Sequence, residues 1–169
     1  MYYDFDVNKN KVYRKNGKRY IVHPLALIYT NDKYYLVCYS DYFRDLCNYR
    51  IDRMEKVEIE KSGVTPVKEY ENFNIHAYKR QAFSMFTGEL KDVTLTVDNS
   101  CLDAILDKFG EQIPLVKVDA NSFRVRVQVQ VSPTFFAWCL TSCGKIRITA
   151  PAEVVAAMDE YIKTVMPKR

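Results

Sequence analysis

The chain has 169 residues, 48% of them hydrophobic and 14% aromatic, with a formal net charge of +4; that suits one domain or two small ones around a packed core. No run approaches the roughly 20 consecutive apolar residues of a membrane span, and the start MYYDFDVNKNK lacks the apolar centre of a signal peptide, so no membrane partner is expected and the cytoplasm is the expected compartment. Five scattered cysteines (Cys38, Cys47, Cys101, Cys139, Cys143), an odd number, argue against a disulfide framework and are read as reduced thiols.

In chain order, Val12-Tyr13, Arg19 to Tyr29, Lys33 to Tyr39 and Tyr49 to Ile59 are rich in β-branched and aromatic residues and read as strands. Asn16-Gly17 carries the chemistry of a two-residue hairpin turn, and Asn31-Asp32 a weaker version of it. Short strands of this kind curl to protect their edges, which predicts a small barrel. After a loop marked by Ser62-Gly63 and Thr65-Pro66, the spacing of Ile75, Tyr78, Ala82, Met85 and Phe86 predicts a connecting helix over about 69–86, ended by Gly88.

From Asp92 the pattern becomes strand, helix, strand, strand, helix, strand. Asp92 to Val97 alternates, and Asn99 or Ser100 caps a helix with Leu102, Ile105, Leu106 and Phe109 before Gly110. Pro114 to Val118 and Phe123 to Val131 form a hairpin whose Val125, Val127, Val129 and Val131 face one way. Ser132-Pro133 opens a helix reaching Cys143, then come a strand from Lys145 to Thr149 and a final helix from about Pro151 to Val165. This order predicts a ferredoxin-like βαββαβ module.

Charge is uneven along the chain. Residues 92–169 are neutral, whereas every charged side chain from Val7 to Asn31 is cationic: Lys9, Lys11, Arg14, Lys15, Lys18 and Arg19. Such a run, interleaved with Tyr13 and Tyr20, suits an anionic partner and has the composition of a nucleic-acid face; it equally suits a strand edge guarded by positive charge. Arg50 and Arg53, three apart amid apolar residues, suit a bidentate grip on phosphate or carboxylate. In a regular strand they point to opposite faces, so ion pairs with Asp52 or Glu55 are an equal alternative. Cys139 and Cys143 stand four apart without a neighbouring histidine, which leaves the metal set incomplete. With five glycines and no G-x-S-x-G, Walker or G-x-G-x-x-G motif, neither a cofactor nor enzymatic activity is expected.

The stretches His23 to Ile28, Asn31 to Val37 and Tyr49 to Met54 together resemble a WYL domain, with Tyr34-Tyr35-Leu36 at the namesake triplet. Ala82 to Gly88, Asp107 to Gly110 and Ser132 to Trp138 resemble the C-terminal extension that commonly follows it. The resemblance implies an α+β chain: a small Sm-like or SH3-like barrel over 1–65, a connecting helix and linker over 66–90, and the ferredoxin-like extension over 91–169. It also implies the sensing half of a bacterial transcription regulator, working as a homodimer and binding a nucleotide or single-stranded nucleic acid. Tyr35, Arg50 and Arg53 would face that ligand with His23 close by, and Lys11, Arg14, Lys15, Lys18 and Arg19 would form a second basic patch. The chain departs from the family in having Tyr34 rather than Trp and Leu25 where an aromatic is common. It also shows no DNA-reading helices ahead of the barrel, so operator DNA would be met only through an N-terminal domain of a longer protein, the chain itself starting inside an early barrel strand. Two other readings fit the same residues: a structural homodimerisation module, and a sensor of a non-nucleotide anionic small molecule.

Overall fold

A computed structural model describes residues 1–61, 63 and 68–166; the loop expected around 62–67 lies outside the described residues, apart from Gly63. The chain divides into two compact units, Met1–Ile75 and His76–Arg169, both built from antiparallel strands with helices.

In the first unit, β1 (Tyr3–Phe5) pairs with β2 (Lys11–Tyr13), and β3 (Val22–Thr30), β4 (Lys33–Ser40) and β5 (Asp45–Arg50) form a separate meander. The turn between β1 and β2 is organised by the Asp6 carboxylate, which accepts from the backbone of Asn8 and Asn10 at 2.9 and 2.8 Å. Asn31 and Asp32, both at positive φ, close the β3–β4 hairpin as predicted. The hairpin expected at Asn16-Gly17 does not form. Lys15, Asn16 and Gly17 do take positive φ, but they make a tight turn over Arg14–Gly17, and β2 pairs backward with β1 instead of forward with β3.

Among the described residues the expected barrel is not closed. The three-residue strands β1 and β2 are too short to reach around it. Beyond Arg50 the chain also leaves the extended state for a 3-10 turn over Ile51–Arg53, where a strand to Ile59 was expected. The backbone bridge Tyr2↔Met54, flanked by mutual backbone bonds between Met1 and Glu55, ties the start of the chain to the segment that follows β5. Beneath it Tyr2, Cys38 and Tyr49 are buried, with Tyr20, Val22, Leu36 and Met54 packed on them.

The connecting helix arrives in two pieces, α1 (Glu69–Asn72) and α2 (Ile75–Gln81). Asn72 and Asn74 flank the break, consistent with side chains that compete for the backbone hydrogen bonds of a helix. The predicted apolar positions Tyr78, Ala82 and Met85 are indeed buried. Past Gln81, however, the chain bends through Ser84 and Met85 at positive φ, closed by the Phe86 N–H donating to the Phe83 carbonyl at 3.0 Å. Gly88 therefore ends no helix. It is needed because a Cβ there would sit 2.0 Å from the Val131 carbonyl oxygen.

The second unit follows the expected order: β6 (Glu89–Asp98), α3 (Leu102–Phe109), β7 (Leu115–Lys117), β8 (Ser122–Val131), α4 (Pro133–Thr141), β9 (Ile146–Ala150) and α5 (Ala152–Val165). The sheet runs β7-β8-β6-β9, antiparallel throughout. Strict alternation in β8 puts Val125, Val127 and Val129 inward with Val93, Leu95 and Val97 of β6, and the three helices cover that face with Ile105, Phe109, Phe135, Cys139 and Val154. Phe83 joins the same core, its ring 5.1 Å from that of Phe135 and 5.2 Å from Trp138. The cap expected for α3 at Asn99 or Ser100 is not made: Asp98 accepts from Ser100 N–H to cap a 3-10 turn over Asn99–Cys101, and α3 follows with Cys101 at its start and no side-chain cap, whereas at α4 the Ser132 hydroxyl accepts from Phe135 N–H. Because α4 ends at Thr141, Cys143 lies beyond the helix that was expected to carry it. Lys108 of α3 reaches back to donate to the carbonyls of Lys79 and Ala82 at 3.1 and 2.7 Å, its ammonium 4.0 Å from the Phe83 ring centre. Burial pulls its pKa down from 10.5 to about 8.

Candidate anion-binding site

In the β4–β5 ladder Tyr35 stands directly opposite Arg50, so the two share one face of the meander. Lys33, two residues before Tyr35, falls on that face as well. The regular strand that would have sent Arg50 and Arg53 to opposite faces ends at Arg50, which is still extended, and Ile51–Arg53 form a 3-10 turn. Arg50 grips Asp52 with two nitrogens at 3.1 and 2.7 Å. Arg53 donates to Asp4 at 2.8 Å, and Arg14 holds the same carboxylate at 2.6 and 3.1 Å.

The turn is laced to the first strand. Tyr3 Oη donates to the Asp52 carbonyl at 2.8 Å, the Arg50 N–H donates to Tyr2 Oη at 3.2 Å, and the Arg14 guanidinium lies 4.8 Å from the Tyr2 ring centre. Four cations (Arg14, Lys33, Arg50, Arg53) thus gather around two carboxylates. The Arg50 hydrogen bonds hold the Asp52 carboxyl below its usual range, with Lys33 and Arg53 adding to the effect; Arg14 does the same chiefly for Asp4. Arg53 Nε is buried and makes no hydrogen bond. The excess of positive charge, the guanidinium forks and a neighbouring phenol equip this corner to take an anion bearing an aromatic group.

The other expected site residues are dispersed. His23 is buried opposite Tyr39, its Nε2 3.0 Å from an Asp41 oxygen; four residues along the strand from Tyr35, that is about 13 Å away. Within the basic run, Lys11 is paired with Glu55, which also accepts from Tyr13, and Arg19 grips Glu58 at 2.7 and 3.1 Å. Lys15 and Lys18 instead stand over the exposed ring of Tyr42, at 3.3 and 5.2 Å from its centre. Tyr42 and its neighbour Phe43 were not singled out in the sequence, although two adjacent aromatics in a turn between strands are the signal that would have found them.

The opposite face of the meander carries an open cleft of about 350 Å³ lined by Tyr2, Tyr20, Tyr49 and Met54 and rimmed by Arg19 and Lys56 to Lys61. Burial raises the Tyr49 phenol and pushes the thiols of Cys38 and Cys139 up to about 12, so neither thiol is ionised at neutral pH. No described helix is long and apolar enough to cross a membrane.

Residues 10–59 match the model of the WYL domain family, so the segment from β2 through the arginine turn carries the WYL signature. Among solved structures, the proteasome accessory factor B/C (PafBC) of Arthrobacter aurescens aligns with 93% of this chain at 19% identity and a TM-score of 0.34. The chain spans 23% of the length of that protein. None of the curated proteins matches it.

Proposed function

We propose that the chain is the ligand-sensing part of a bacterial transcription regulator, and that its WYL segment binds a nucleotide or single-stranded nucleic acid through Arg50, Arg53, Lys33 and Tyr35. The observation that carries this reading is the gathering of four cations around Asp4 and Asp52 beside the Tyr35 phenol: phosphate would replace a carboxylate on the guanidinium forks while a base stacks on the ring. His23, fixed to Asp41, supports the meander at a distance. In the same reading the first unit is an open variant of the Sm-like barrel. The β7-β8-β6-β9 order with helices on one face supports a ferredoxin-like second unit through which binding is relayed in a homodimer.

Fluorescence anisotropy of the chain with short labelled single-stranded DNA and RNA, at low and moderate salt, tests this. Saturable binding that weakens with salt and is lost in Arg50→Ala is expected; no binding, or equal binding by the variant, overturns it. A second reading has its own observation, because both arginines are already ion-paired within the chain. If they serve only to brace a homodimerisation module, Arg53→Ala shifts the sedimentation-measured dimer equilibrium and changes no ligand binding. Binding of small organic anions but not of nucleotides would mark the sensor as one for another class of anion.

A further inference from the structure

We infer that Tyr42 and Phe43, at the tip of the β4–β5 turn, form a second contact for single-stranded nucleic acid: a base-stacking step flanked by the phosphate-binding lysines Lys15 and Lys18. This rests on the nucleic-acid reading above and extends it to the far end of the meander, about 17 Å along β4 from Tyr35.

Three observations carry it. First, the two rings are exposed, at 57% and 52%, in the loop residues that follow β4, where nothing in the first unit's core requires them. They lie edge to face, 4.9 Å apart at 84°, so each ring turns a face in a different direction. Second, the basic run is divided by its partners. Lys11, Arg14 and Arg19 each hold a carboxylate, whereas Lys15 and Lys18 have none within ion-pair distance among the described residues and converge on Tyr42, with Lys15 also 5.1 Å from the Phe43 ring centre and 5.8 Å from that of Tyr20. Arg44, the next residue, is exposed and also lacks a carboxylate partner among the described residues. Third, the backbone holds the two segments in shape: Lys15, Asn16 and Arg44 adopt positive φ, the Lys18 N–H donates to the Lys15 carbonyl, and the Arg44 N–H donates to the Ser40 carbonyl at 2.7 Å.

Exposed aromatic faces beside cations that lack a carboxylate partner are what a strand of nucleic acid offers complements to, since bases stack and phosphates pair with ammonium groups without regard to sequence. A protein partner would have to bring acids and leave the ring faces to apolar side chains; the pairing of ring with cation on Tyr42 favours the nucleotide.

The test is anisotropy titration of the full chain with labelled oligothymidine of about twelve nucleotides and with a base-free deoxyribose-phosphate oligomer of the same length. Three variants are compared with the parent: Tyr42→Leu/Phe43→Leu, Lys15→Gln/Lys18→Gln, and Arg50→Ala. Both rings are exposed, so the double leucine variant is expected to fold, which circular dichroism melting checks. It should bind oligothymidine about tenfold more weakly and the base-free oligomer unchanged. The double glutamine variant should lower the slope of log affinity against log salt by about 1.4, near 0.7 for each phosphate that is no longer neutralised. Parent-like oligothymidine binding by the leucine variant, with Arg50→Ala still defective, overturns the second contact and leaves the first standing. Equal weakening on both oligomers overturns stacking. Absence of binding by the parent overturns both readings.

Discussion

The two units are held together by different means. The second buries a continuous apolar core in which the inward residues of β6 and β8 cluster with side chains of α3, α4 and α5. Among its described residues the first buries a cluster around Tyr2, Cys38 and Tyr49 together with Ile28 and Val37, and its strands are further tied at the margins by carboxylates: Asp6 in the first turn, Asp4 and Asp52 at the arginine turn, Glu55 with Lys11 and Tyr13. Burying an apolar side chain stabilises far more than an exposed ion pair does. The polar margin of the first unit suits the ligand site proposed for it.

Substitutions can break or sharpen that contrast. The sole tryptophan, Trp138, reports the second unit, while all tyrosines except Tyr78 and Tyr161 lie in the first. The largest loss is expected for Phe135→Ala, fully buried between Phe83 and Phe136, at about 3–5 kcal/mol in urea melts followed by Trp138 fluorescence; a loss under about 1 kcal/mol would undo the claim of a tightly packed core. Gly88→Ala should cost about 1–3 kcal/mol, because backbone must shift to admit the methyl group, and a neutral result would show that the close approach to Val131 is soft.

Lys108 supplies a pH signature for the second unit. Its folded pKa of about 8 lies below the 10.5 of the free group, so between those values the unfolded chain holds more protons and stability rises with pH; below about 8 both states are protonated and the full cost of burial remains. Lys108→Met should flatten that rise in melts taken from pH 7 to 10, and an unchanged slope would assign it to another group. The smallest effect is expected at the first unit's margin. Asp4→Asn, removing the shared partner of Arg14 and Arg53, should cost no more than about 1 kcal/mol by tyrosine near-ultraviolet dichroism, and a core-sized loss would erase the distinction between the units.

The same contrast explains what could be read from the sequence. Alternation in β8, the Ser132-Pro133 helix start and the stop at Gly110 are local signals enforced by burial, and the second unit followed from them. In the first unit turn chemistry was legible but pairing was not: Asn16 and Gly17 took the positive φ that their residue types favour, yet β2 joined β1 across the turn that Asp6 organises, and the start of the chain is bonded to Glu55, 54 residues away. The long helix over 69–86 failed because apolar spacing reports burial and not continuity; Tyr78, Ala82 and Met85 are buried on either side of a bend. Arg50 and Arg53 were recognisable as anion chemistry, but Asp4, which links Arg53 to Arg14, is 49 residues from Arg53 along the chain and carries no pattern of its own.

One consequence follows from the Asp52 carboxylate seated in the Arg50 fork. Tethered two residues away, it is a competitor that cannot diffuse off, present at a high effective concentration. A lone phosphate ion would regain little by displacing it, whereas a ligand engaging Lys33, Arg53 and Tyr35 at the same time would form several new bonds in exchange for the ion pairs of Arg50 with Asp52 and of Arg53 with Asp4. In the proposed sensor Asp52 is thus a valence filter, keeping abundant inorganic phosphate out and admitting an oligomer. Inorganic phosphate should displace bound oligonucleotide poorly from the parent chain and more effectively from Asp52→Asn; equal displacement from both would remove the filter.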